Sequence, residues 1–397
     1  MIAEITTILS RLVAFPTISR QSNLALLDYV ESLFLPAGID VERFYSADGT
    51  RANLLASTGP DRSGGVLLSG HCDVVPVEGQ DWSQDPFELH AAEGRLYGRG
   101  TADMKGFLAV AIHTMLSASS RQLGLPLQLA ISYDEEIGCL GVRGMLDVLT
   151  HRHNRPAFCI VGEPTGMRIA NGHKGKRALR ASCHGTAAHS ALAPTALNAL
   201  HLGAALITRL QARQEQLRVS GARDDAYDIP YSTIHVGTMS GGTALNIVPA
   251  RCDLDIEIRN IVQDDAEALF ASILADAEAI AAPHRGRFAE ARIEIEPTSS
   301  YPGLDTPPTS PAIGLLERLL GTDEPLIKVA FGTEGGLFHE TLDIPTVVCG
   351  PGHMEQGHKS DEFVEIAQLV QCENVLSSLV TLLATSHGDL LSPSTSS

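Results

Sequence analysis

The chain contains no uninterrupted apolar run of about 18 residues, the length at which a segment reads as a membrane-crossing helix. Its first residues include Glu4 and lack a basic stretch followed by a long apolar one, so no secretory leader is expected and a soluble, cytoplasmic protein is the reading. Positive charge is also scarce: 29 lysines and arginines stand against 47 aspartates and glutamates, for a net charge of −18. That field opposes capture of nucleic acid or anionic lipid and mildly favours cationic ligands, so neither nucleic acid nor membrane is expected as a partner. Paired cysteine spacing is missing as well. The seven cysteines, Cys72, Cys139, Cys159, Cys183, Cys252, Cys349 and Cys372, are odd in number and scattered, which points to reduced, packed thiols and away from a thiolate zinc site. No internal repeat is visible.

What is present is enough apolar material, 44% of 397 residues, for more than one hydrophobic core, so two domains are expected. Fifteen histidines exceed the needs of packing, although His151 and His153 near a turn and His387 in the tail read as surface residues. Helical spacing over residues 2–13 and 24–35 is followed by alternation: a strand at 66–69, a helix at 107–118, a strand at 127–132, a helix at 142–150 and a strand at 158–161. This is the rhythm of an α/β fold with a mostly parallel sheet. Between about residues 172 and 297 the order becomes strand (178–183), helix (196–216), two strands (233–236 and 252–259), helix (264–281) and strand (291–296), which predicts an inserted ferredoxin-like α+β domain. The helix at 312–320 and strand at 346–349 then complete the first domain, giving 1–171 with 298–397 as one domain and 172–297 as the other. Residues 392–397 read as a disordered tail.

Five segments place histidine or carboxylate near the ends of these elements, where open α/β sheets gather ligand sites. Ser69-Gly70-His71-Cys72-Asp73 offers an imidazole with Asp73 two residues on, on the same side of an extended chain, where a carboxylate can orient the ring. The glycine-rich Gly98-Arg99-Gly100-Thr101-Ala102-Asp103 lacks P-loop spacing, but its turn can hold Asp103 as a bridge between two cations. Asp134-Glu135-Glu136 follows the strand at 127–132; taken alone it reads as a solvated turn. In a metal site, neighbours pointing apart allow Glu136 to bind metal and Glu135 to act as general base. Glu163 ends another strand and His358 lies in Gln356-Gly357-His358-Lys359-Ser360-Asp361-Glu362. His71, Asp103, Glu136, Glu163 and His358 together make a nitrogen and oxygen ligand set that suits zinc or related first-row ions.

In this order the five segments resemble the zinc-dependent aminoacylase and carboxypeptidase metallohydrolases, and the resemblance covers nearly the whole chain. It implies two divalent metal ions, Zn2+ or Co2+, one held by His71 and Glu163, the other by Glu136 and His358, with Asp103 bridging and a cis peptide after it. It makes Glu135 the base that works with a metal-activated water, and Asp73 the orienting carboxylate. The inserted domain resembles the lid and dimerisation domain of the family, so a homodimer is expected. Within it, Gly185-Thr186-Ala187-Ala188-His189-Ser190 matches a segment whose histidine reaches the partner subunit's active site, while Asn246 and Arg259 match substrate-binding positions.

Gly172-His173-Lys174-Gly175 and Phe331-Gly332-Thr333-Glu334 look most like the acetylornithine deacetylase branch, with Thr333 and Glu334 as pocket residues and Glu334 suited to a cationic substrate end. The reaction implied is removal of the N-acetyl group from N2-acetyl-L-ornithine, a step of arginine biosynthesis. Gly357 stands where alanine is commoner in that branch, and His353 and Ser360 replace its usual serine and proline. A succinyl-diaminopimelate desuccinylase, another N-acyl-amino-acid deacylase or a dipeptidase stays open. So does a non-catalytic metal-binding homologue, although the base Glu135 is present.

Overall fold

In the computed structural model, which describes residues 1–386, 388, 390 and 391, four parallel strands form the centre of the first unit. His387 and residues 392–397, read from sequence as surface and tail, lie outside the described residues. The four strands, in spatial order, are Leu127–Ser132, Val66–His71, Phe158–Pro164 and Thr346–Gly350, and every residue in them is buried. Nearly continuous apolar sequence is what a sheet covered on both faces requires. Register aligns their carboxyl ends: His71 lies opposite Ser132, and Ser69 opposite Val161.

Antiparallel strands extend this sheet. Ala52–Thr58 and then Asp40–Tyr45 lie beyond Leu127–Ser132, while Ala170–His173 pairs with Thr346–Gly350, Leu304–Asp305 and Ile327–Val329 on the other side. The sequence reading passes over Asp40–Tyr45 because an edge strand carrying Asp40, Glu42 and Arg43 has no apolar run. Helices Ile2–Val13, Gly106–Ser119 and Ile366–Thr385 share one core through Leu9, Leu108, Ile112, Leu376 and Leu379. Ile366–Thr385 is the one helix among the described residues long and apolar enough to cross a membrane, with mean hydropathy 1.3. Its Leu369, Cys372, Leu376, Leu379 and Leu383 recur at helical spacing and are buried in that core, which accounts for the apolarity.

The second unit comprises Lys174–Gly303 with Ala330–Gly332, so it begins and ends a few residues later than the 172–297 read from sequence. The reason is continuity of strand: Gly175–His184 starts at the boundary and Arg292–Tyr301 runs beside it to its end. The four-stranded antiparallel sheet has the order Thr233–Gly241, Arg251–Asn260, Gly175–His184, Arg292–Tyr301, with helices Ala199–Ser220 and Ala266–Ala281 packed on it. This is the ferredoxin-like order. Arg251–Asn260 alternates strictly, burying Cys252, Leu254, Ile256 and Ile258. Each such apolar side chain contributes about 1.5–3 kcal/mol when fully buried.

Candidate metal centre

His71 ends its strand, Glu135 and Glu136 follow the end of Leu127–Ser132, Glu163 lies in the last residues of Phe158–Pro164, and His358 comes from the loop after Thr346–Gly350. Four parallel strands thus deliver five of the expected side chains to one edge. Asp103 arrives from the buried turn Thr101–Lys105 that precedes Gly106–Ser119, and the Asp103-Met104 peptide is cis. Gly162 permits close packing here, because a Cβ at that position would come within 2.0 Å of the Phe107 ring.

The two oxygens of Asp103 face different histidines. Oδ1 lies 3.0 Å from His71 Nε2, and Oδ2 lies 3.3 Å from His358 Nε2. Glu163 approaches His71 Nε2 at 3.6 Å, and Glu136 approaches His358 Nε2 at 3.0 Å. Donor atoms of His71, Asp103 and Glu136, and likewise those of His71, Glu135 and Glu163, fall within 4.8 Å of one another. Glu163 thus lies near His71 and Glu136 near His358, with Asp103 facing both histidines.

Electrostatics favour cations at this edge. Burial pushes the Glu163 and Glu135 carboxyls well above the ordinary range, with neighbouring Asp103 adding to the effect at Glu163 and Glu136 adding to it at Glu135. Burial and then Asp103 raise Glu136 to about 7. Burial would raise Asp103 too, but hydrogen bonds from His358 and His71 hold it below the usual carboxylate range. His358, hydrogen-bonded to Asp103 and Glu136, is raised to about 10. A site of three carboxylates and two imidazoles, in which Glu136 and Glu163 resist ionisation in isolation, is chemically suited to divalent ions, which would neutralise them.

The acidic triplet does not point as one. Asp134, at φ 55°, accepts the Arg20 amide at 2.6 Å and pairs with the Arg51 guanidinium, so it turns away from the cluster. Asp73 meets His71 Nδ1 with its backbone carbonyl at 2.9 Å and its carboxylate at 3.4 Å, and the carboxylate also accepts the amides of Glu135 and Glu136 and the Ser19 hydroxyl. The sequence reading assigns Ser19 nothing, because a lone serine after a helix carries no spacing signal.

Thr333 and Glu334, read as pocket residues, are buried in the first unit at 0% and 2% exposure. The Thr333 hydroxyl accepts the Gly335 amide at 2.9 Å, opening helix Gly335–Leu342. Glu334 accepts the Ser69 hydroxyl at 3.4 Å, its other oxygen has no hydrogen-bond partner, and burial raises it to about 7.

His189, Asn246 and Arg259 belong to the second unit. Antiparallel bonds from Ser190 N to Asn246 O (2.9 Å) and from Val248 N to Ala188 O (2.8 Å) bring the His189 and Asn246 segments side by side, with both residues exposed. His189 Nδ1 accepts the Ala191 amide at 3.1 Å, so the neutral ring carries its proton on Nε2 and presents a donor outward. Arg259 donates to Glu257 at 2.8 Å and to the Tyr301 hydroxyl at 2.7 Å, a half-buried guanidinium held in a fixed orientation.

The model of Peptidase family M20/M25/M40 matches residues 67–382. The acetylornithine deacetylase of Proteus mirabilis (strain HI4320) is 34% identical over 382 residues, covering 93% of this chain and 94% of that protein. Among solved structures, an M20 family metallo-carboxypeptidase from Sulfolobus solfataricus superposes with a TM-score of 0.78 at 19% identity, covering 96% of this chain and all of that one (100%). A dinuclear metal-binding peptidase of the M20 family from Bacillus subtilis superposes with a TM-score of 0.68 at 15% identity, covering 96% and 98%. By sequence match along most of its length the chain belongs to peptidase family M20/M25/M40, and it is a hydrolase of amide bonds.

Proposed function

We propose that the protein is a cytoplasmic dinuclear zinc enzyme that removes the acetyl group from N2-acetyl-L-ornithine, releasing ornithine and acetate. The observation that carries this reading is Asp103 standing between His71 and His358, with Glu135 close to His71 and Glu163. His71 and Glu163 would hold one ion, Glu136 and His358 the other, and Asp103 both. When bound, the ions supply Lewis acidity, which makes a water a nucleophile at neutral pH and polarises the amide carbonyl. Cobalt satisfies the same donors. The seven buried free thiols suit a reducing compartment.

Glu135, ionised beside the two cations, takes the proton from the attacking water and passes it to the departing amine nitrogen, a role supported by its place next to His71 and Glu163. Asp73 fixes the His71 ring through Nδ1 and the Glu135 turn through its amide. Arg259, with Asn246, binds the substrate α-carboxylate, for which Arg259 exchanges part of its contact with Glu257. His189 donates from Nε2 to the oxyanion that forms at the carbonyl.

The enzyme acts as a homodimer through the second unit. Supporting this, Thr233–Gly241 is an edge strand with a largely exposed surface, and Met239, Leu245 and Ile247 are exposed near it. Substrate choice is tested by comparing kcat/KM for N-acetylornithine, N-succinyl-diaminopimelate and several N-acetyl amino acids on zinc-reconstituted protein, reading the released amine. A preference for any of the others over N-acetylornithine rejects the substrate and leaves the hydrolase standing.

A further inference from the structure

His71 and Glu163 sit on buried strands, whereas Asp103 comes from a turn and His358 from an open loop. His358 is 48% exposed at its side chain and has φ 61°; Asp361, at φ 54°, is held by the Ser83 amide and hydroxyl, so the loop is pinned beyond His358 but not by packing of His358 itself. Something else must set the separation between Asp103 and His358. The buried pair Arg99 and Glu362, each 1% exposed, is placed to do so.

Glu362 closes the turn. Its Oε1 accepts the amides of Ala102 at 2.9 Å and Asp103 at 3.1 Å, and its Oε2 accepts the Gly100 amide at 3.0 Å and Arg99 Nη1 at 2.6 Å. Arg99 reaches the other side. It donates to the Lys359 carbonyl at 3.3 Å and to Gln80 Oε1 at 2.5 Å, and Gln80 Nε2 donates to the carbonyl of His358 itself at 3.0 Å. One continuous set of bonds therefore runs from the Asp103 amide through Glu362, Arg99 and Gln80 to the His358 backbone. A carboxylate buried with four donors, and a guanidinium shared between that carboxylate, the Lys359 carbonyl and the Gln80 side chain, form a stiff connection, because each would leave a costly unsatisfied group if the turn and loop moved apart.

We propose that Glu362 and Arg99, with Gln80, are positioning residues that set the Asp103 to His358 separation, so that the ion held by Glu136 and His358 depends on them more than the ion held by His71 and Glu163. The inference rests on the two-ion reading. It is tested by titrating metal-stripped wild type, Glu362→Gln and Gln80→Ala with Zn2+ by calorimetry, and by recording the visible spectrum of each with one and two equivalents of Co2+. Wild type should bind two ions per chain. Glu362→Gln should keep the tighter site within about threefold and weaken the other by about 10–100-fold, the usual effect of removing a group that orients a ligand. Its Co2+ spectrum should change at the second equivalent and match wild type at the first. Gln80 is partly exposed, so in Gln80→Ala water can take over its contacts to Arg99 and to the His358 carbonyl; the variant tests the His358 half of the connection, and the same site should weaken by about tenfold. Unchanged affinities in both variants, or equal loss at both sites, overturn the inference. Fewer than two ions in wild type overturns instead the two-ion reading on which it rests.

Discussion

The carboxylate of Asp73 accepts the backbone N–H of Glu135 at 3.1 Å. The same carboxylate lies 3.4 Å from His71 Nδ1, which also meets the Asp73 backbone carbonyl at 2.9 Å, so one residue contacts both a candidate ligand and the candidate base. Asp73→Asn should therefore lower kcat by more than the loss of His71 orientation explains, and weaken metal binding by about 10–100-fold. Ser19→Ala removes one bond to the same carboxylate and should cost about 0.5–1.5 kcal/mol of stability while metal content holds. Kinetics and metal analysis on both variants check this; wild-type metal affinity in Asp73→Asn would exclude the shared role.

Glu135 and Glu136 are adjacent in sequence, but Glu136 meets His358 while Glu135 accepts the Cys139 thiol at 3.3 Å. Glu135→Gln should retain two metal ions per chain and lose about 10²–10⁴-fold in kcat, the range for general acid–base catalysis. Loss of an ion from this variant would exchange the two assignments.

Burial changes what is expected of Glu334. Its carboxylate is 2% exposed and accepts the hydroxyl of Ser69, on the strand that carries His71. Glu334→Gln should lower kcat/KM for N-acetylornithine and for an uncharged N-acetyl amino acid by the same factor. A loss confined to N-acetylornithine would restore the reading in which Glu334 meets the cationic end.

Much of this centre is legible in the sequence because its parts follow strands that are continuous apolar runs. Val66–His71, Leu127–Ser132 and Phe158–Pro164 announce themselves, and polar residues just beyond such runs stand at a carboxyl edge. What supports the centre is less visible. Glu362 and Arg99 are 263 residues apart, and nothing local distinguishes their buried pairing from two surface charges. Gly357 likewise has no strained φ, and a Cβ there would meet Met354 Sδ at 3.4 Å, so the structure accepts the alanine commoner in the related branch.

The protonation of the cluster predicts how stripped protein responds to pH. Glu136 and Glu334 are raised from an ordinary value of 4.5 to about 7, and burial raises Glu163 and Glu135 as well, so the folded chain holds protons that the unfolded chain releases. Stability then falls as pH rises from the unfolded carboxylate value through about 7. His358, raised from 6.5 to about 10, acts in the same direction: its stabilisation is complete below 6.5 and is lost as pH rises through about 10. Asp103, held low, has the opposite sign but contributes fully above the ordinary aspartate value of 3.8 and adds no slope here. Melting temperature of metal-stripped protein should thus decline between about pH 5 and about pH 8, and saturating zinc, which binds the deprotonated ligands, should flatten or reverse the decline. A flat or rising profile in stripped protein would contradict the proton-retaining cluster.

His189 belongs to the second unit, far in sequence from every candidate metal ligand, and its Nε2–H is directed outward from an exposed ring. If it serves the oxyanion, His189→Ala should keep its metals and lose about 10²–10³-fold in kcat, as for removal of an oxyanion donor. Mixing distinguishes whose oxyanion it serves. Combining His189→Ala with Glu135→Gln subunits yields mixed dimers, and if His189 acts across the dimer, both lesions fall in one site and leave the other intact. Activity should then reappear to about half of wild type in each mixed dimer, an arithmetic consequence of closed twofold symmetry. If His189 serves its own subunit, every site keeps one lesion and the mixture stays inactive. Subunit exchange demonstrated by native mass spectrometry without recovered activity would place His189 in its own subunit's site and remove the reason for a shared one.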